Sequence, residues 1–337
     1  MPSAESPAAC ASRSRASRSV PAVGCLREVL SYAARTVTAP ARHGRDRDER
    51  PYEDGRLILR DSRRLAWRRW GHPTHPTVLR IQGTPGSRLH RHPDPTLWAS
   101  ARLRMLVVDR PGFGQSSRLP GRGIAPVADD LAAVLDSLEL ERVPVISFSG
   151  GGPHALALAA THPDRVSAVT VLAGAAPLNS AERLRLVGSN RASLEAADRG
   201  WSALHEQLME TRQRLLTEGA REVLGDAPPS DLEILSDPAW QRLNRANLKE
   251  ALRQGAEGWT DESLALIGPW DFRLEEVKAS VTWWHGEDDA NVPFSAAQRV
   301  IARLAKAHLN VWRGQGHYAA VRHEPDALDE LLERANS

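Results

Sequence analysis

The sequence predicts an α/β fold in which a mostly parallel central sheet is flanked by helices and interrupted late in the chain by an inserted helical block. Three observations carry this expectation. From about Tyr52 onward, short runs rich in β-branched and other apolar residues alternate with segments of helical apolar spacing. Several of those runs are continuously apolar, as strands buried on both faces are. One interval of about a hundred residues then lacks any strand pattern, where a connection outside its helix needs only ~2 to 6 residues, so it must carry structure of its own.

Residues 1–40 are dominated by Ala, Ser, Arg and Pro and cannot bury enough apolar surface to offset their ordering entropy. Residues 1–50 therefore read as a basic, disordered leader, either transit-peptide-like or an extended start. Residues 57–59 and 64–70 read as an antiparallel pair of strands. Further strands follow at 78–81, 105–109, 143–147, 166–172, 281–285 and 309–312. Helical spacing separates them at 127–138, 151–161, 296–306 and 325–334. Strand, helix and strand in repetition make a parallel sheet covered on both sides. Inside the long interval, 181–194, 201–224 and 237–254 read as helices, broken by Asp226, Pro228 and Pro229. The division expected is a core over 51–175, a helical cap over 176–275 and the rest of the core over 276–337. Trp201, Trp240, Trp259 and Trp270 fall in that cap, where a tryptophan either packs helix on sheet or lines an apolar ligand cavity.

Composition narrows the function. With 337 residues, 41% apolar and 26% charged, the chain is an ordinary globular protein with enough apolar material for a core. Its formal charge is +2, and the excess is local, since the first fifty residues hold nine arginines against five acids. No global electrostatic case for nucleic acid or an anionic membrane survives, and the expected partner is a small-molecule substrate. Both cysteines, Cys10 and Cys25, lie in the leader, which leaves the folded part no disulfide framework and no Cys-rich zinc site. No run of ~18 apolar residues exists to span a bilayer. A cytoplasmic monomer or homodimer is the expectation.

The strongest chemical signal is the buried strand 143–147 running into Ser147-Phe148-Ser149-Gly150-Gly151 and then an Ala/Leu-rich helix. A serine on such a sharp strand-to-helix turn takes a strained backbone conformation, so the residues two before and two after it must be small; Ser147 and Gly151 are. Ser149 then presents its hydroxyl at a helix amino-terminus, where partial positive charge favours a developing oxyanion. A serine needs a base, and the base an orienting acid, each just past a later strand. Glu287, Asp288 and Asp289 follow the strand at 281–285, and His317 follows the last strand in Gly314-Gln315-Gly316-His317. His154, one helical turn beyond the serine, His285 and His323 are weaker candidates.

From about Tyr52 to its end the chain resembles the α/β-hydrolase fold family, with Ser149, Asp289 and His317 in the order of that family's triad. The resemblance implies that the acid lies three residues beyond a Gly and shortly before a Val-Pro, which selects Asp289, with Asp288 as the rival. It further implies an oxyanion hole from two backbone N–H groups. Gly150 offers one, and the loop Gln82-Gly83-Thr84-Pro85-Gly86, similar to the family's His-Gly-x-Pro loop, offers Thr84 for the other. Gln82 stands where the family usually has His, so the loop's supporting hydrogen bonds should differ. Asp109-Arg110-Pro111-Gly112-Phe113-Gly114-Gln115-Ser116 resembles the turn that buttresses that loop.

The resemblance implies a serine hydrolase that needs no metal or cofactor and cleaves an ester, thioester or activated amide through an acyl-enzyme, and the tryptophan-bearing, polar-faced cap suggests that the substrate is a small hydrophobic ester. Phe148, Trp201, Trp259 and Trp270 are the candidate substrate-binding residues. A serine at the elbow disfavours haloalkane dehalogenase or epoxide hydrolase chemistry, and the altered early loop disfavours a proline iminopeptidase. A non-hydrolytic binding or sensing protein and a cofactor-free lyase, perhydrolase or cyclase remain as alternatives on the same scaffold.

Overall fold

A computed structural model describes residues 39–45, 51–94 and 96–335, all within one compact unit. Most of the leader, with Cys10 and Cys25, lies outside the described residues. Nine strands form one sheet: β1 (Ala39–Arg45), β2 (Pro51–Ile58), β3 (Arg64–Trp70), β4 (Thr77–Ile81), β5 (Arg104–Val108), β6 (Val143–Phe148), β7 (Val166–Leu172), β8 (Ser280–Gly286) and β9 (Ala307–Trp312). Their order is β1-β2-β3-β5-β4-β6-β7-β8-β9. The first three strands run antiparallel to their neighbours, and the six from β5 to β9 are mutually parallel. β1 corrects the expectation of a disordered segment through residue 50, because residues 39–45 pair with β2. An edge strand is held by main-chain hydrogen bonds on one side and needs no apolar pattern of its own.

Helices α1 (Leu97–Ser100), α2 (Ala125–Ser137) and α3 (Gly151–Thr161) follow β4, β5 and β6. A helical insertion then separates β7 from β8. It contains α4 (Ser180–Arg183), α5 (Gly188–Asp198), α6 (Trp201–Thr217), α7 (Ala220–Val223), α8 (Pro229–Ser236), α9 (Pro238–Ala251) and α10 (Glu257–Ile267). Helices α11 (Phe294–Ile301) and α12 (Ala319–Ala335) close the chain. Buried Val127, Leu131, Leu156 and Val300 place α2, α3 and α11 on one face of the sheet, while Trp98 and Leu328 place α1 and α12 on the other. Leu204, Leu208, Leu235, Leu248 and Trp259 form a separate core inside the insertion. Both sheet faces are thus dry, which explains why the parallel strands read as continuous apolar runs.

Four helical readings differ from the structure, one of them 296–306, which in α11 ends at Ile301. The stretch 181–194 breaks at 184–187, and 201–224 breaks at 218–219. α12 starts at Ala319 and runs through Pro325, where a helix start was expected. Pro325 has no N–H to give the carbonyl of Val321, and His92 Nε2 donates to that carbonyl at 2.7 Å. Among the described residues no helix is long and apolar enough to cross a membrane.

Candidate active site

The parallel strands all point their carboxyl ends at one region, where loops from β4, β6, β8 and β9 meet. Ser149 sits between β6 and α3 at φ +51°, a left-handed conformation that non-glycine residues seldom adopt. Three hydrogen bonds of 2.9 Å hold it there: its N–H donates to Leu172 O, and its carbonyl accepts from Gly152 N and Ala175 N. Gly151 is dictated by close approach, since a Cβ there would stand 2.3 Å from Ile81 O at the end of β4. The smallness expected two residues after the serine therefore comes from the neighbouring strand.

After β8 the three acids separate. Glu287 and Asp288 are exposed, while Asp289 is buried. His317 Nδ1 donates to Asp289 Oδ2 at 2.7 Å, and Asp289 Oδ1 accepts from the N–H groups of Asn291 and Val292, both at 2.8 Å. Burial pushes the Asp289 carboxyl up, but the His317 imidazole, then His285 and the Val292 N–H, outweigh it and hold it below its usual value. Burial likewise pushes His317 down, and the Asp289 carboxylate, with Asp231 behind it, outweighs that and holds it above the ordinary imidazole value. His285 accepts from Trp283 Nε1 at 3.1 Å and donates through Nε2 to Val292 O at 2.9 Å, so both nitrogens are engaged in the core.

The 82–84 loop is tied from beneath. Arg110 donates to Gln82 O at 2.6 Å and Gly83 O at 3.0 Å. Gln82 Nε2 donates to Val108 O at 2.9 Å. Asp109, fully buried, accepts from Arg88 N, Arg88 NH1 and Gln115 N, which locks the 109–116 turn behind the loop. Thr84 and Gly150 both border the cavity described below, and among the described residues no hydrogen bond is made by either backbone N–H.

Two buried carboxylates from the insertion complete the surroundings, and neither was anticipated. Glu262 on α10 accepts from Arg110 Nε at 2.9 Å and NH2 at 2.6 Å, and also from Arg122 and from the Thr84 hydroxyl. Burial raises its pKa, but Arg110 and Arg122 dominate and hold it well below the carboxylate range. His154 lies 3.5 Å from it without a hydrogen bond, and burial pushes that imidazole down to about 4, leaving it neutral beneath the site. Asp231 on α8 accepts from His317 N at 2.9 Å and Tyr318 N at 2.7 Å. Gly316 is glycine because a Cβ there would stand 2.3 Å from the Asp231 carboxylate. Burial raises the Asp231 carboxyl and prevails over His317 and the two N–H groups.

A cavity of about 310 Å³ lies between the sheet's edge and the insertion. Ser149, His317, Thr84 and Gly150 border it, as do Phe148 and Trp259. No hydrogen bond joins Ser149 Oγ to His317; in unliganded enzymes such contacts are commonly long and tighten on substrate. Trp201 and Trp270, expected to bind substrate, lie outside its lining. Trp201 donates to Asp261 Oδ1 at 2.9 Å and stacks on His205, and Trp270 stacks on Phe272, so both serve packing. Trp240 does border the cavity, edge-on to Tyr318 at 5.5 Å. Among the described residues no group of three or more His, Cys, Asp or Glu side chains could hold a metal ion.

Residues 76–323 match the alpha/beta hydrolase fold family. The chain belongs to this family. This α/β hydrolase is 27% identical over 260 residues to a Caulobacter sp. (strain K31) protein provisionally named the carbamate hydrolase RutD, covering 71% of this chain and 84% of the relative. It is 26% identical over 270 residues to the 2-hydroxy-6-oxononadienedioate/2-hydroxy-6-oxononatrienedioate hydrolase of Cupriavidus pinatubonensis, covering 73% and 82%. Among solved structures, a hydrolase from Pseudomonas aeruginosa PA01 superposes with a TM-score of 0.60 at 22% identity, covering 82% of this chain and 97% of that one. The α/β hydrolase described here is accordingly a hydrolase of that fold.

Proposed function

We propose that this protein is a serine hydrolase that cleaves a small, largely hydrophobic ester or related acyl compound through an acyl-enzyme on Ser149. The observation that carries the reading is the 2.7 Å hydrogen bond from His317 Nδ1 to buried Asp289, with His317 and the strained Ser149 on the wall of one cavity. Donation from Nδ1 leaves Nε2 as the basic nitrogen. His317, oriented by Asp289, takes the Ser149 proton as Oγ attacks the acyl carbonyl, and the Thr84 and Gly150 N–H groups receive the oxyanion. His317 then returns the proton to the leaving group, and water, deprotonated by the same imidazole, releases the acid and restores Ser149.

The insertion acts in this reading as a cap. Leu186, Leu194, Leu208, Leu215 and Leu266 border the cavity, which supports an apolar acyl or alkyl group beneath it. Activity-based labelling with a fluorophosphonate, followed by turnover of nitrophenyl esters of graded chain length, thioesters and carbamates, tests it. Labelling and turnover should both fall by at least about 10⁴-fold in Ser149→Ala. Turnover that persists in that variant, or a preference for highly charged acyl groups, would reject the proposal.

A further inference from the structure

Among the polar side chains on the cavity wall, His90 has the tautomer of its ring set by a neighbour. Arg80 on β4 and Glu324 on α12 form a buried ion pair in which both terminal guanidinium nitrogens donate to the carboxylate, NH2 to Oε2 at 2.9 Å. Trp98 Nε1 donates to the same carboxylate at 3.3 Å. With its fork committed, Arg80 turns its remaining Nε–H toward His90 Nδ1 at 3.2 Å. A guanidinium offers donors only, so His90 Nδ1 supplies a lone pair and the ring proton resides on Nε2. Burial, followed by the nearby Arg80 and Arg110, holds His90 well below the ordinary imidazole value and keeps the ring neutral.

His90 borders the cavity and stacks on Phe148, the residue before Ser149, with ring centroids 6.3 Å apart. Among the described residues nothing accepts from its Nε2–H. His90 is only half-buried and its Nε2–H is not an orphaned buried donor, so water can serve it in the free protein; a ligand that displaces that water keeps the donor satisfied only by carrying in an acceptor. The two arginines that border the cavity among the described residues, Arg80 and Arg183, are each paired with an acid, Glu324 and Asp198, so an uncharged oxygen is matched better than a carboxylate.

We propose that His90 is a specificity-determining residue whose Nε2–H selects substrates carrying a second, uncharged carbonyl oxygen besides the one that Ser149 attacks. The proposal rests on the serine-hydrolase reading for the position of the scissile carbonyl, but binding can be measured without turnover. Calorimetry on the Ser149→Ala protein would compare ethyl hexanoate with ethyl 3-oxo-, 4-oxo- and 5-oxohexanoate, and with monoethyl adipate as the carboxylate arm. At least one oxo ester should bind about tenfold more tightly than ethyl hexanoate. That ratio should fall to near one when His90→Leu is added, and a part of it should return with His90→Gln, whose amide also donates. Circular dichroism would verify that both variants fold. The proposal is overturned if no ester binds, if no oxo ester is preferred, if the preference survives in folded His90→Leu, or if monoethyl adipate binds tightest. If wild-type protein hydrolyses none of these esters while the His90-dependent ratio holds, the acyl-enzyme reading fails and His90 retains its role.

Discussion

Glu262 beneath the 82–84 loop and Asp231 behind the 316–318 loop stand in like positions but are compensated by different means. Glu262 faces two arginines of the core and is held well below its usual pKa. Among the described residues no arginine pairs with Asp231; two main-chain N–H groups and the His317 ring are its counterparts, and burial leaves it raised. The first is an ion-pair lock, whose loss strands two cations in the interior. The second is a dipolar clamp, weaker in energy but coupled to the imidazole that would carry the proton. The comparison teaches that the insertion secures the two arms of the site with unequal strength and unequal sensitivity to pH.

The largest effect should come from breaking the lock. Glu262→Ala leaves Arg110 and Arg122 buried without a counter-charge, which should cost about 3–5 kcal/mol in urea unfolding. Glu262 also gives the lock a pH sign: its depressed folded pKa means that its contribution is present above the unfolded value and is lost as pH falls through the folded one. Asp231→Ala should cost less, about 1–3 kcal/mol, yet lower kcat/KM by about 10²-fold through misplacement of His317, with KM for an ester affected far less than kcat. Equal losses in the two variants, in stability and in turnover alike, would erase the distinction between lock and clamp.

Two smaller effects sharpen it. Gly316→Ala forces a methyl against the Asp231 carboxylate and should cost about 1–3 kcal/mol. In the Asp231→Ala background the same change should cost clearly less, a coupling that a double-mutant cycle measures. The acid limb of kcat/KM should have its midpoint above the ordinary imidazole value of about 6.5, because His317 must be neutral to accept a proton and its pKa is raised. Asp231→Asn, which removes one of the two nearby negative charges, should move that limb to lower pH, whereas a variant of exposed Asp288 should not. The stability that protonated His317 contributes is complete below about pH 6.5 and disappears as pH rises through its folded value. The melting-temperature gap between wild type and His317→Gln should therefore narrow from pH 5 to pH 9.

The same two carboxylates mark where the sequence ceased to be readable. The elbow around Ser149, the acids after β8 and the histidine after β9 were legible because each follows an apolar strand at short range and the small residues beside them answer local sterics. The 82–84 loop and the 109–116 turn were legible only through their resemblance to the family's loop and turn motifs. Helices α8 and α10 were not expected. α8 has only eight residues and opens on Pro229-Ser230-Asp231, which reads as a turn, although a proline with an acid in the following turn is also a helix-start signal. α10 buries Thr260, Asp261 and Glu262, so the rule that charges mark the wet face assigns it the wrong way round. The partner that makes Glu262 tolerable, Arg110, is 152 positions away, and no pattern along one chain reports such a pairing. Trp201 and Trp270 failed as cavity residues for a related reason: an indole that packs and one that lines a pocket have the same local signature, and only the third dimension separates them.

Because Asp231 and Glu262 grip the 316–318 and 82–84 loops from outside the sheet, the insertion is not an interchangeable module. An engineer who transplants a different roof between β7 and β8 to change selectivity would remove both grips along with the old lining. Chimaeras of this scaffold should keep their chemistry only when the donor segment brings a carboxylate to each of those two loops, or when Arg110, Arg122 and Gly316 are redesigned in the same step.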